Sequence, residues 1–307
     1  MRAVWLALLL ALAAPLQAAV GATDWLARIG PALRGLDYQG TLVYVAGGRM
    51  ETVRVFHRRD GDRERERLVT LAGPRREVIR DGSKVMCLGG DGPLAFDVGM
   101  PGRWSPALAL SDAGDLPGYR VHLAGSDRVA GHAAQRIDIV AADAWRYGYR
   151  LWLERDTGLP LRVDLVDAAG EAVEQVAFTE LSLDQRPSDA DLAPSSAEGL
   201  VPLAPQVAGR TVTPDWHVPV PPPGFALRSA RRDDAGLQLL YSDGLASVSV
   251  YVERADPRLR GASSTRRGAV HAHGFRVDGW HVLAIGKVPA ATVAQLARTV
   301  RAVDADG

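Results

Sequence analysis

The sequence predicts an α+β protein in two parts, a large antiparallel sheet with covering helices followed by a smaller α+β unit. Three observations predict it. From about residue 38 to 183, short alternating apolar and polar runs are separated by Gly, Asp and Pro; between 186 and 224 the alternation stops and prolines accumulate; beyond that break a second strand series ends in an amphipathic segment opened by Pro289. A period of two marks a strand with one wet face, whereas apolar spacing of three and four marks a helix.

Residues 1–22 open with "MRAVWLALLLALAAPLQAA", one Arg before a Leu/Ala run broken by Pro15, then small residues at Ala18, Ala19 and Ala22. The apolar part is shorter than the roughly 20 residues that span a bilayer, so it reads as a cleaved secretory signal. No later window is apolar for long enough to cross a membrane.

Residues 23–190 are expected to form the first domain. In "TDWLARIGPALRGL" (23–36), Thr23 and Asp24 are candidate caps, and Trp25, Ile29, Leu33 and Leu36 fall near helical spacing. Pro31 is expected to kink or divide that helix. Two alternating runs then flank Gly47-Gly48 in "QGTLVYVAGGRMETVRVFH", a hairpin pattern. Further runs bring the total to about ten strands. The clearest has Leu161, Val163 and Leu165 alternating with Arg162 and Asp164. The Gly- and Pro-rich stretch 89–117, with "RWSPALAL" inside it, is expected to carry a short helix over the sheet.

Residues 191–223 contain Pro194, Pro202, Pro205, Pro214, Pro219 and Pro221 to Pro223. Proline removes donors and favours extended backbone, so this stretch reads as a semi-rigid connector, or alternatively as an arm docked through Leu200, Val201 and Leu203. Residues 224–304 form the second unit: a hairpin from "LQLLYSDG" and "ASVSVYVER", strands near "RGAVHAHG", "FRVDG" and "WHVLAIG", and a helix with Val293, Leu296, Ala297 and Val300 on one face.

The 36 basic and 36 acidic residues balance, which argues against a nucleic-acid binder or a polybasic membrane-surface protein. The lone Cys87 cannot form an internal disulfide and reads as a small core residue. Signatures of catalysis are missing: there is no G-x-S-x-G elbow, no phosphate-cradling G-x-x-x-x-G-K loop, no dinucleotide fingerprint and no zinc-protease helix. His271, His273 and His281 make a weak metal trio with no acidic residue at convincing spacing. The carboxylates are scattered among arginines instead of paired. The chain reads as a binding protein with no cofactor and no metal, and not as an enzyme.

"YQGTLVYVAGGRMETVRVFH", "ERERLVTLAGPRREVIRDG", "LPLRVDLVDAAGEAVEQVAF", "LYSDGLASVSVYVER" and "TRRGAV", in that order and with the late Pro-rich break, together resemble the RseB/MucB family of periplasmic negative regulators of an envelope-stress sigma factor. The resemblance covers nearly the whole mature chain. It implies an N-terminal half-barrel similar to the lipoprotein carriers LolA and LolB, and a C-terminal α+β domain. It also implies a periplasmic location and a partner, the periplasmic part of a membrane-spanning anti-sigma factor (RseA or MucA). That partner would be shielded from regulated proteolysis until lipopolysaccharide or mislocalised lipoprotein is sensed. The alternative function is a LolA-like periplasmic carrier of lipoprotein or lipid.

Lipid-pocket candidates on the concave apolar face are Leu42, Tyr44, Val53, Val55 and Trp152; the other reading is that they fill a closed core. Partner-binding candidates are Arg266 and Arg267 before a strand of the second domain, Tyr241 in "LYSDG", and Arg75, Arg76 and Arg80 in "LAGPRREVIRDG". Guanidinium forks suit carboxylates or lipid phosphates. In the alternative reading Arg76 and Arg80 lie on the wet face and pair with neighbours such as Glu51, Glu66 and Glu77. Exposed strand edges also make a homodimer an expectation.

Overall fold

The computed structural model describes residues 21–89, 107, 110, 116–202, 209–255 and 262–303. The expected signal peptide lies almost wholly outside these residues, as does most of the 89–117 stretch.

Helix α1 (Ala22–Gly35) buries Trp25, Leu26, Ile29, Ala32 and Leu33, and the Asp24 carboxylate accepts the Gly21 N–H at 2.9 Å. Pro31 does not divide it. Proline deprives the carbonyl four residues earlier of its donor, but both Pro31 and Ala27 are exposed, so water can solvate that carbonyl.

Ten strands follow in the first sheet: β1 (Tyr38–Ala46), β2 (Arg49–Asp60), β3 (Arg63–Thr70), β4 (Glu77–Asp81), β5 (Lys84–Leu88), β6 (Tyr119–Val129), β7 (His132–Ala141), β8 (Gly148–Glu154), β9 (Pro160–Val166) and β10 (Ala172–Ser182). An eleventh, β11 (Leu200–Pro202), comes after the one-turn helix α2 (Asp189–Leu192). The strand order is β11-β5-β4-β3-β2-β1-β10-β9-β8-β7-β6, with antiparallel neighbours. Helix α1 touches both β2 and β6, which are separated by five strands in that order. A sheet that reaches one helix from both sides is curled into a half-barrel, with α1 in its mouth.

The period-two pattern decides what fills it. Every second residue of β1 is buried, and Leu42 stands opposite Val53 and Phe178 while Val55 stands opposite Leu68. These side chains, the α1 face, Leu151, Leu153, Leu161 and Val163 share one core. Ala107 and Leu110, from the expected covering stretch, are buried in it too. Cys87 packs half-buried against its edge.

The second sheet contains β12 (Arg210–Thr211), β14 (Ala226–Arg232), β15 (Gly236–Ser242), β16 (Ser247–Arg254), β17 (Ser263–Arg267), β18 (Val270–Val277) and β19 (Trp280–Gly286) in the order β12-β14-β15-β16-β19-β18-β17. Between β12 and β14 lies β13 (Trp216–His217), which pairs with the last strand, β20 (Arg301–Ala302). Helix α3 (Ala290–Thr299) covers β18, β19 and β16 and buries Val293, Leu296 and Ala297. A separate core forms beneath it.

In its described parts the Pro-rich stretch is tied to its neighbours by backbone and side-chain hydrogen bonds. Arg58 bonds the Pro187 carbonyl and Asp189, the Ser195 N–H donates to Glu77, β11 pairs with β5, and β12 pairs with β14. Prolines prevent a ladder only where a donor is needed, and a two- or three-residue edge strand needs few.

Candidate functional site

The two sheets meet over a small apolar cluster of Tyr147, Leu165 and Ala269, with Tyr149 and Val173 beside it. Polar side chains surround it. Arg146, buried in the turn before β8, donates to Asp243 of the β15–β16 turn at 2.5 Å and to both oxygens of Asp143 at 3.1 Å, and also bonds the Pro223 carbonyl. Its guanidinium lies 5.4 Å from the Tyr119 ring centre and 5.1 Å from that of Phe225. Burial works against its charge, but the Asp143 hydrogen bond and the Asp243 carboxylate outweigh that and strengthen its hold on the proton. Tyr119 donates to the same Asp243 oxygen at 3.1 Å, and the other oxygen accepts the Leu245 and Ala246 N–H groups. Space for Arg146 depends on Gly118, where a Cβ would stand 2.0 Å from the guanidinium.

A second polar link joins Lys287 to Glu174 at 2.7 Å. Glu174 also engages the Tyr44 hydroxyl, whose ionisation is pushed far up by burial first and by Glu174 second. The Thr292 hydroxyl donates to the Trp145 carbonyl at 2.7 Å. The β1–β2 turn meets the β17–β18 turn so closely that a Cβ on Gly47 would lie 3.0 Å from the Gly268 nitrogen.

Beside these links is an open cleft of about 410 Å³, lined by residues of both parts that include Arg146, Tyr147, Asp167, Arg266, His271 and Ala290. Burial raises the Tyr147 pKa while Arg266 opposes the shift, so the two side chains sense each other across the cleft. The His271 Nδ1 lies 2.8 Å from the Val288 carbonyl.

The structure splits the Arg266–Arg267 pair. Adjacent strand residues face opposite ways, so Arg266 stands opposite His271 and lines the cleft, whereas Arg267 is near enough to Tyr44 to act on its pKa. Both are exposed. Tyr241 is buried. Only 2 % exposed, it packs in the second core and its hydroxyl accepts the Val218 N–H, which ties down the Pro-rich stretch.

The ribbon arginines lie elsewhere, on β4 and the turn before it. Arg75 donates to Glu77 at 2.9 Å and Arg76 to Glu51 at 3.3 Å, while Arg80 stands half-buried opposite Glu66. Burial raises the Glu77 pKa, but hydrogen bonds from Arg67 and Ser195 overcome it and hold the group at about 2. The ribbon pins β3, β4 and the segment after α2 together.

Of the lipid-pocket candidates, Leu42, Val53 and Val55 are fully buried together in the first core, and Tyr44 lies at its end toward Glu174. Trp152, 6 % exposed, belongs to the same core. It stands opposite Arg136 and Arg162 in the ladder, its ring centre 4.3 Å from the Arg162 guanidinium, and its N–H donates to Asp127 at 2.8 Å.

Among the described residues, no group of three His, Cys, Asp or Glu gathers around a common point. His273 lies 2.8 Å from Ser264 and accepts from Arg298, and its pKa is lowered by burial and then by Arg298. Sequence reasoning missed Arg146, Asp243, Glu174 and Lys287. They lie in turns and at strand ends, where periodicity carries no signal.

Residues 21–196 match the MucB/RseB N-terminal domain and residues 210–301 the MucB/RseB C-terminal domain. The chain is 34% identical over 301 residues to the sigma factor AlgU regulatory protein MucB of Pseudomonas aeruginosa, covering 94% of each. It is 31% identical over 323 residues to the sigma-E factor regulatory protein RseB of Salmonella typhimurium, covering 98% of each. Among solved structures it is similar to MucB in the Pseudomonas aeruginosa MucA/MucB complex, with a TM-score of 0.74 and 32% identity over 92% of this chain and 99% of that one. For a second structure, described as MucB, the TM-score is 0.64 over the same 92% of this chain and 98% of that one. With both halves matched and its sequence shared with these regulators over almost its whole length, the chain belongs to the MucB/RseB family.

Proposed function

We propose that this protein is a periplasmic regulator that holds the periplasmic part of a membrane-spanning anti-sigma factor, shields it from regulated proteolysis and releases it on sensing lipopolysaccharide or lipoprotein acyl chains. The observation that carries the reading is its near full-length similarity to MucB seen in complex with MucA. In this reading residues 23–190 form the sensing domain, 191–223 the connecting segment and 224–304 the partner-holding domain. Arg266 and Arg267 supply the contacts nearest the interdomain face.

The apolar half-barrel supports lipid sensing, because the face formed by Leu42, Val53 and Val55 is closed by α1 and not by another strand. A chain entering there must displace α1 or the side chains beneath it. Acyl binding then releases the partner only if lipid prefers a different arrangement of the two parts. The carrier function is disfavoured by the second domain, clamped through Arg146 and Lys287, which transport does not need.

The test is protection. The periplasmic part of the cognate anti-sigma factor is incubated with its site-one protease, with and without the mature protein. Blocked cleavage, restored by lipopolysaccharide, is expected. Cleavage that proceeds unchanged at high protein concentration would overturn the reading in favour of the carrier.

A further inference from the structure

The second sheet has one edge that differs from the others. Every residue of β17, Ser263 to Arg267, is exposed, and among the described residues no strand lies on its outer side. Its ladder with β18 runs in register over all five pairs, Ser263–Gly274 to Arg267–Val270, without a bulge. The long edge β6 of the first sheet, by contrast, is interrupted between Leu123 and Ser126, and β11 and β12 are only three and two residues long. A bulge or a very short strand is how folds blunt an edge against added strands, and β17 has neither.

The ladder sets which backbone groups are available. The turn between Arg267 and Val270 has two residues, so that pair exchanges both hydrogen bonds and bonded pairs alternate from there. The amide and carbonyl groups of Arg266 and Ser264 therefore point away from β18.

Charge is a common guard on an edge, and this would explain two exposed arginines that form no ion pair among the described residues, Arg266 donating only to the Gly268 carbonyl at 2.8 Å. Their placement argues otherwise. Arg266 lines the interdomain cleft with Tyr147 and His271, and Arg267 faces the opposite side, near Tyr44. A guard points its charge into water, whereas Arg266 presents its charge to a concave surface of about 410 Å³.

We propose that β17 is a docking strand, on which an extended acidic segment of about five residues adds to the second sheet and sets a carboxylate side chain into the cleft against Arg266. Main-chain hydrogen bonds supply affinity that is insensitive to sequence, and the cleft reads the charge. This rests on the anti-sigma-factor reading and deepens it, since it names the mode in which the partner is held.

The probe is the periplasmic part of a MucA-type anti-sigma factor, added to the full mature protein with backbone amide exchange followed residue by residue. Exchange at Ser264 and Arg266 is expected to slow at least about tenfold on binding, while Thr265, already turned toward β18, changes little. Arg266→Glu is expected to weaken binding at least about tenfold, a loss that shrinks as salt is added, whereas Arg128→Glu on the distant β6 edge leaves it unchanged. Undiminished binding with no protection at Ser264 and Arg266 overturns the docking strand and leaves the regulator reading intact. Protection that grows with protein concentration in the absence of the probe assigns the edge to a second copy, and overturns it as well. Failure of the unmodified protein to bind the probe overturns the regulator reading and this one with it.

Discussion

At the scale of single residues, the energetics concentrate in buried charges. Arg146 and Asp243 are each about 1 % exposed at the side chain, so removing one leaves the other uncompensated. Asp243→Ala is expected to destabilise the protein by about 3–5 kcal/mol in urea unfolding. Glu77 sets a pH dependence. Its folded pKa of about 2 lies below the ordinary 4.5, so its stabilisation is complete above 4.5 and is lost as pH falls toward 2. The change is on the order of 2–3 kcal/mol across that window. Glu77→Gln should lower stability at neutral pH and flatten its acid dependence, as measured by unfolding at stepped pH. The residues responsible were present in the ribbon "RREVIR", but nothing in the sequence told Arg75 paired with Glu77 from Arg75 offered to a ligand.

At the scale of elements, a strand is limited by what its neighbours allow. Gly40 sits in β1 where a Cβ would lie 2.3 Å from the Glu180 carbonyl and 2.9 Å from the Phe178 ring, next to the register shift between Thr41 and Leu42. Gly40→Ala is expected to cost about 1–3 kcal/mol by overpacking, seen as a lowered urea midpoint with little change in slope. Helix α1 makes the complementary point. Its apolar stripe was legible from Trp25 to Leu33, and Pro31 was legible as a breaker. The helix runs through it because exposed positions can leave a carbonyl to water.

At the scale of the whole molecule, the two parts are held by Arg146–Asp243, Lys287–Glu174 and the cluster around Tyr147. Such links couple the unfolding of two separate cores. The unmodified protein is expected to unfold in one transition, with tryptophan fluorescence and circular dichroism coincident, and the Asp243→Ala/Lys287→Ala double variant in two. One transition in the double variant would mean that the apolar contact alone couples the parts. In the proposed function the same links would carry a signal from the first part to the second, because displacing α1 would disturb the core that positions Tyr44 at Glu174.

Local sequence by itself determined the secondary structure: period-two runs made about ten strands of one sheet, and Val293, Leu296 and Ala297 made the last helix, because burial on one face needs only local spacing. The family was legible from the order of whole segments. Tertiary structure alone decided the site. Trp152 packed in the first core beneath the Arg136 and Arg162 guanidinium groups, Tyr241 went into the second core, and Arg266 and Arg267 parted to opposite faces. Register and the meeting of distant turns set those outcomes. Arg146 finds Asp243 across 97 residues of sequence, a separation that no local pattern records.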